Sequence, residues 1–141
     1  MPSAGDELFR WIDVFGPIPA EIRGELRPAL QRVAEPVLAQ AKTNASWSSR
    51  IPGAIQISTS FARRSAGVAL TVSGKAAPHA RPFENLGRRG NFRHPVFGDR
   101  ERWVSQGARP FLFPAVAGAD EELVRETGRV VEQVARRHGF R

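Results

Sequence analysis

One apolar stripe limits what this chain can fold into. Ile22, Leu26, Leu30, Val33, Val37 and Ala41 recur at steps of three and four, the spacing of one face of an α-helix. Such a face is stable only when covered, and packing on a sheet is the expected solution. Pro19 suits the first position of that helix. The stripe runs through Pro28 and Pro36. Each lacks a backbone N–H and crowds the preceding turn, so one bent helix, or two collinear ones, is expected over 19–45.

The neighbouring segments fill in the rest. Before the stripe, Leu8, Phe9, Ile12 and Phe15 predict a helical extension over 1–16, closed by Gly16 and Pro17. After it, Ala54–Ser58 and Val68–Val72 alternate with period two and predict a β-hairpin over 54–73. Its polar face carries Gln56, Ser58 and Ser60, and Arg63 and Arg64 sit at its tip. Residues 74–110 are rich in Gly, Pro and Arg and read as a long loop, or arm, with a short strand at Trp103 and Val104. A compact domain rarely carries such a stretch without a use for it. A last helix is expected over 114–138, with acids early, arginines late and Gly139 as its cap. In the extended lead to that helix, Phe111 and Phe113 point one way and Leu112 the other, so both phenylalanines are expected to anchor it to the core. The sum is a single α+β domain of 141 residues: a small antiparallel sheet packed by two helices, with a long extended loop.

Charge is uneven along the chain. The formal net charge is +7, and 19 of the 21 basic residues are arginine. Residues 1–35 are net −2, residues 36–119 net +9 and residues 120–141 neutral. No acid occurs between Pro36 and Phe83. A concentrated positive field suits an acidic partner or nucleic acid as readily as it suits a solvated face.

Several chemistries are poorly supported. There is no cysteine, hence no disulfide framework, thiolate metal site or cysteine nucleophile. No apolar run approaches the roughly 20 residues of a membrane span. The opening Met1–Glu7 lacks a basic then apolar leader, so a soluble intracellular chain is expected. Gly87–Gly90 lacks the spacing and the Lys-Ser/Thr pair of a phosphate loop. Asp99 and Glu101 near His94 resemble half of a one-metal hydrolase site, but flanking Arg100 and Arg102 favour ion pairs. No catalytic residue, metal or cofactor is therefore expected. Arginines interleaved with aromatics over 89–103 keep a small basic nucleic-acid-binding module open.

One tract is recognisable. Arg93-His94-Pro95-Val96-Phe97-Gly98, then Trp103-Val104-Ser105-Gln106, then Ala108–Ala115 resembles the head–tail connector, or tail-completion, proteins of long-tailed phages and prophages, in their actinobacterial branch. Ala41-Lys42 before the hairpin fits the same pattern. Where members carry a Tyr-Ala-x-x-x-Glu-x-Gly strand, this chain has His79–Gly87, with Glu84 and Gly87 at the matching positions. The resemblance implies a structural, non-catalytic subunit of the virion neck, assembled in the bacterial cytoplasm. It implies a homo-oligomeric ring, usually six-fold, between portal and tail, meeting head-closure and tail-terminator or tail-tube subunits and no membrane. The 74–110 arm would reach a neighbouring subunit through Phe83, Arg88, Arg89, Phe92, His94, Pro95, Val96, Phe97 and Trp103. Arg63 and Arg64 would face the lumen, in nonspecific contact with packaged DNA.

Overall fold

The computed structural model describes residues 18–62, 67–96 and 99–139. The predicted helix over 1–16, Arg63, Arg64 and Phe97 lie outside the described residues. The order is α1 (Ala20–Asn44), α2 (Ile51–Ala54), β1 (Ile55–Ser60), β2 (Gly67–Val72), α3 (Ala80–Glu84), a single 3₁₀ turn (Asn85–Gly87), β3 (Asn91–Val96), β4 (Asp99–Gly107) and α4 (Leu112–Arg137). The class is α+β.

Helix α1 runs unbroken through both prolines. Pro28 and Pro36 are exposed, so the carbonyls they leave without an intrahelical partner, those of Gly24 and Arg32, are on the side that water can reach. The opposite face buries Ile22, Leu26, Leu30, Ala34, Val37 and Ala41. Ala34 thus replaces the expected Val33, which is only half-buried. Helix α4 lies antiparallel to α1. Val130 and Val134 pack on Ile22, Leu26 and Leu30, while Ala115 and Phe111 join the cluster of Val37 and Ala41. Two polar ties hold the ends of this pair. Glu25 binds Arg137 and His138, the latter at 2.7 Å. Asn44 Nδ2 donates to the Phe111 carbonyl at 3.2 Å. Gly139 follows α4 with φ +86°, the left-handed stop that Gly accepts without a Cβ penalty.

Strands β1 and β2 form an antiparallel pair with Ile55 opposite Val72, Ile57 opposite Leu70 and Thr59 opposite Val68. Directly opposed residues share a face, and Leu70, Val72 and Val68 contact the two core clusters. Gln56 and Ser58 alternate onto the exposed side. Ser48 Oγ accepts the Ile51 N–H at 3.2 Å and so fixes the turn that leads into the strand.

The expected single sheet with a long loop is corrected here. Among the described residues there are two separate two-stranded sheets, β1–β2 and β3–β4. The described residues of 74–110 fold into α3, the 3₁₀ turn and a second antiparallel strand pair, because Asn91–Val96 finds a partner in residues that composition marked as loop. Prolines and glycines punctuate this segment without dissolving it: Pro95 is part of the β3–β4 ladder, opposite Trp103, and an outermost strand tolerates a missing donor.

Candidate interaction surface

The hairpin and its attachment carry most of the residues singled out from sequence. The attachment begins at Glu84. Its carboxylate accepts the N–H of Phe111 at 2.7 Å, of Leu112 at 2.9 Å and of Phe113 at 2.8 Å. These are orphan donors of the first turn of α4, and a negative charge there also opposes the helix dipole. Arg109 N–H donates to the Phe83 carbonyl at 2.9 Å, and Ala108 N–H to the Gly90 carbonyl at 2.6 Å. The hairpin is therefore clipped closed at its base.

Aromatic rings fasten the clip to the body. Phe83 lies 4.8 Å from the Trp47 ring and 5.2 Å from Phe92, edge to face. His79 meets Phe83 at 6.2 Å, and Phe92 meets His94 at 5.8 Å. The Arg109 guanidinium stands 5.1 Å over Trp47. Phe83, Phe92 and His94, expected as contacts to a neighbouring subunit, are thus used first within the chain. Trp47 and Arg109 carry no assignment from sequence, since only the folded chain brings position 47 beside 83 and 109. His79 Nε2 is 3.3 Å from Ser48 Oγ, and His94 Nε2 is 2.9 Å from Gln106 Oε1.

The two phenylalanines part company. Phe111 is fully buried, whereas Phe113 is 60% exposed. The expectation that both anchor the core is corrected for Phe113. The helix begins at Leu112, so successive residues step by about 100° around an axis rather than alternating across a strand. Phe113 covers Gly87 instead. A Cβ at Gly87 would stand 2.5 Å from Phe113 Cγ, and Gly87 has φ +76°. Asn85 and Leu86 are left-handed too, at φ 48° and 55°. This turn puts Leu86 outside, 79% exposed. A left-handed leucine is unfavourable by about 1–3 kcal/mol.

Beyond the base, the hairpin has two unlike faces. Phe92 and His94 oppose Gln106 and Val104, while Arg93 and Pro95 oppose Ser105 and Trp103. The first face turns towards the body, where Phe92 meets Phe83. The second is the outer face, and Trp103 on it is 48% exposed. Pro95 and Val96 are half-buried, and every residue of β4 is exposed. Between Trp103 and Asp99 the strand bulges, with Asp99 opposite Val96, which takes Arg100–Arg102 out of the ladder and blunts the edge. Asp99 Oδ1 accepts the Glu101 N–H at 3.0 Å, and Trp103 Nε1 donates to the Arg100 carbonyl at 2.7 Å.

The expected ion pairs of Asp99 and Glu101 do not form among the described residues, whose ion pairs are Glu126–Arg129, Glu132–Arg136 and Glu25 with Arg137 and His138. Arg88, Arg89, Arg93, Arg100 and Arg102 are exposed and equally unpaired there. No cluster of three or more metal-ligating side chains occurs among the described residues, and no described helix is long and apolar enough to cross a membrane.

Compared with known protein families, curated proteins and solved structures, the chain matches none.

Proposed function

We propose that this chain is a structural, non-catalytic subunit of a phage or prophage neck: a head–tail connector or tail-completion ring that joins the portal complex to the tail in the virion. The observation that carries the reading is the β3–β4 hairpin. It is braced at its base by Glu84 and the aromatic rings, yet on its outer face Arg93 is exposed and Trp103 is 48% exposed. A braced arm with an uncovered face suits contact with a neighbour. Two two-stranded sheets with open edges point the same way, since such edges are normally covered. The tract that resembles the family, residues 93–98, 103–106 and 108–115, coincides with this hairpin and its joint to α4. The partners are then further copies in a six-fold ring and the neck layers above and below it.

Disruption of the gene in a producing phage or prophage tests the reading. Full heads and complete tails are expected to accumulate unjoined, with restoration by the intact gene. Normal joined virions from the disrupted strain overturn it.

The unpaired hairpin arginines favour a second reading, a basic nucleic-acid-binding module. A two-stranded ribbon fits the major groove of duplex DNA. Binding would then weaken with salt at a log–log slope of about −0.9 per phosphate neutralised. Particles that join normally, together with tight DNA binding of that slope by the purified chain, would select this second reading.

A further inference from the structure

We propose that the outer face of the β3–β4 hairpin docks on the first half of α4 in a second copy of the same chain. The inference rests on the reading of the chain as a self-assembling subunit and names the two surfaces that meet.

Among the described residues, the exposed large apolar side chains fall in two separate places. Trp103 and Val104 are on the hairpin, and Leu86, Phe113 and Val116 lie at the start of α4. Phe113, Val116 and Asp120 follow one another at three and four residues, so they form one stripe along that helix. Glu121 stands exposed beside it. The stripe is thus apolar at its start and anionic one turn further on. The hairpin offers the converse. Trp103 and Pro95 are paired across the outer face, Arg93 lies two residues along the same face, and the adjoining bulge exposes Arg100 and Arg102 beside Asp99 and Glu101, three cations against two anions. Asp120 and Glu121 have no ion-pair partner among the described residues, and neither do Arg93 and Arg102. An apolar knob with a net-positive rim therefore matches an apolar seat with Asp120 and Glu121 one turn further on. Such matching sets register between partners and disfavours wrong ones.

The knob and the seat are different surfaces of one molecule, so the contact is heterologous. Each copy gives its hairpin to the next and receives one from the last, which makes a ring if the rotation closes and a filament if it does not.

The chain has no cysteine, which makes the contact directly testable. Ser105→Cys marks the outer face of the hairpin and Ala117→Cys marks the seat; both positions are exposed and leave Trp103, Phe113 and the charges in place. A mixture of the two single variants, treated with a short bis-maleimide, is expected to give the mixed dimer. The double variant is expected to give a ladder of multimers, and neither single variant a dimer of its own. Arg93→Glu with Arg102→Glu should lower the mixed product at least tenfold, and Asp120→Arg with Glu121→Arg on the other partner should restore it. Circular dichroism of each variant checks that it is folded. Homodimers from either single variant, no mixed dimer, or no restoration by the charge exchange overturns the proposal. Rings seen without this cross-link remove the proposed contact and keep the ring. Cross-linked open chains, with tails joined normally in the gene-disrupted strain, keep the contact and remove the neck function. Hairpin protection by duplex DNA with no mixed product identifies nucleic acid as the occupant and overturns the proposal as well.

Discussion

The carboxylate of Glu84 closes on the backbone N–H of Phe111, 27 residues further along the chain, at 2.7 Å. One side chain thereby starts the last helix and shuts the base of the second hairpin. Helix caps are normally supplied by the residue immediately before the first turn. No side chain at that position caps α4, and Glu84 does so from a distance.

Glu84→Ala is therefore expected to destabilise the fold by about 1–3 kcal/mol, the range for a lost cap and a charge-assisted bond. Glu84→Gln keeps one acceptor oxygen and should fall between wild type and alanine. Urea denaturation followed by circular dichroism reads both. Equal midpoints for all three proteins would remove Glu84 from the account of α4.

Phe111 and Phe113 should respond in opposite ways. Phe111→Ala empties a fully buried site and is expected to cost about 3–5 kcal/mol. Phe113→Ala removes a mostly exposed ring and should cost under about 1 kcal/mol. Thermal melts of the two variants side by side measure the contrast.

Gly87 is predicted to refuse a side chain. Gly87→Ala meets both a positive φ and the Phe113 ring, for an expected loss of about 1–3 kcal/mol. In Phe113→Ala the steric part disappears and the backbone part stays. A double-mutant cycle should thus show the two changes as less than additive; strict additivity would mean that the ring does not rest on the glycine.

Thr127 is fully buried in α4, and its hydroxyl has no hydrogen-bond partner among the described residues. A buried donor left unmatched costs about 1–3 kcal/mol. Thr127→Val keeps the shape and removes the hydroxyl, so it should raise the denaturation midpoint by roughly 1 kcal/mol equivalent. A lower midpoint would show that the hydroxyl is served.

Acid should loosen the far end of the helix pair. The hydrogen bond from His138 and the nearby charge of Arg137 hold the Glu25 carboxyl below its ordinary value, against a smaller opposing effect of burial. A carboxylate lowered in the folded state binds its proton more readily when unfolded. Its contribution is complete above the ordinary carboxylate range and disappears as pH falls through the lowered folded value. Glu25→Gln should make the acid limb of a stability–pH curve shallower.

The sequence made the two long helices and the first hairpin legible because their apolar residues repeat at one period over many positions. Ile22 to Ala41 and Ile55 to Val72 each present a face that only one kind of element can bury. The second hairpin was harder to see. Phe92, His94 and Val96 alternate, but Pro95 and the nearby glycines hide a short strand whose partner is interrupted by the Arg100–Arg102 bulge. Phe113 was misplaced because the boundary between extended lead and helix falls two residues earlier than the proline at position 114 indicated. A cap such as Glu84 leaves no local trace, since its partner is fixed by tertiary closure alone. The brace of Trp47 and Arg109 on Phe83 is hidden for the same reason.

The clip of Glu84, Phe83 and Arg109 makes the stretch between positions 85 and 108 an insertable cassette. Its two ends are pinned within a few ångströms of each other, so whatever spans them adds little to the work of closing the chain. Doubling such a span costs only about 0.6 kcal/mol. The helix pair and β1–β2 can then stay as they are while the hairpin lengthens, shortens or is exchanged. A change in the length of the hairpin is therefore expected to leave the scaffold that carries it in place.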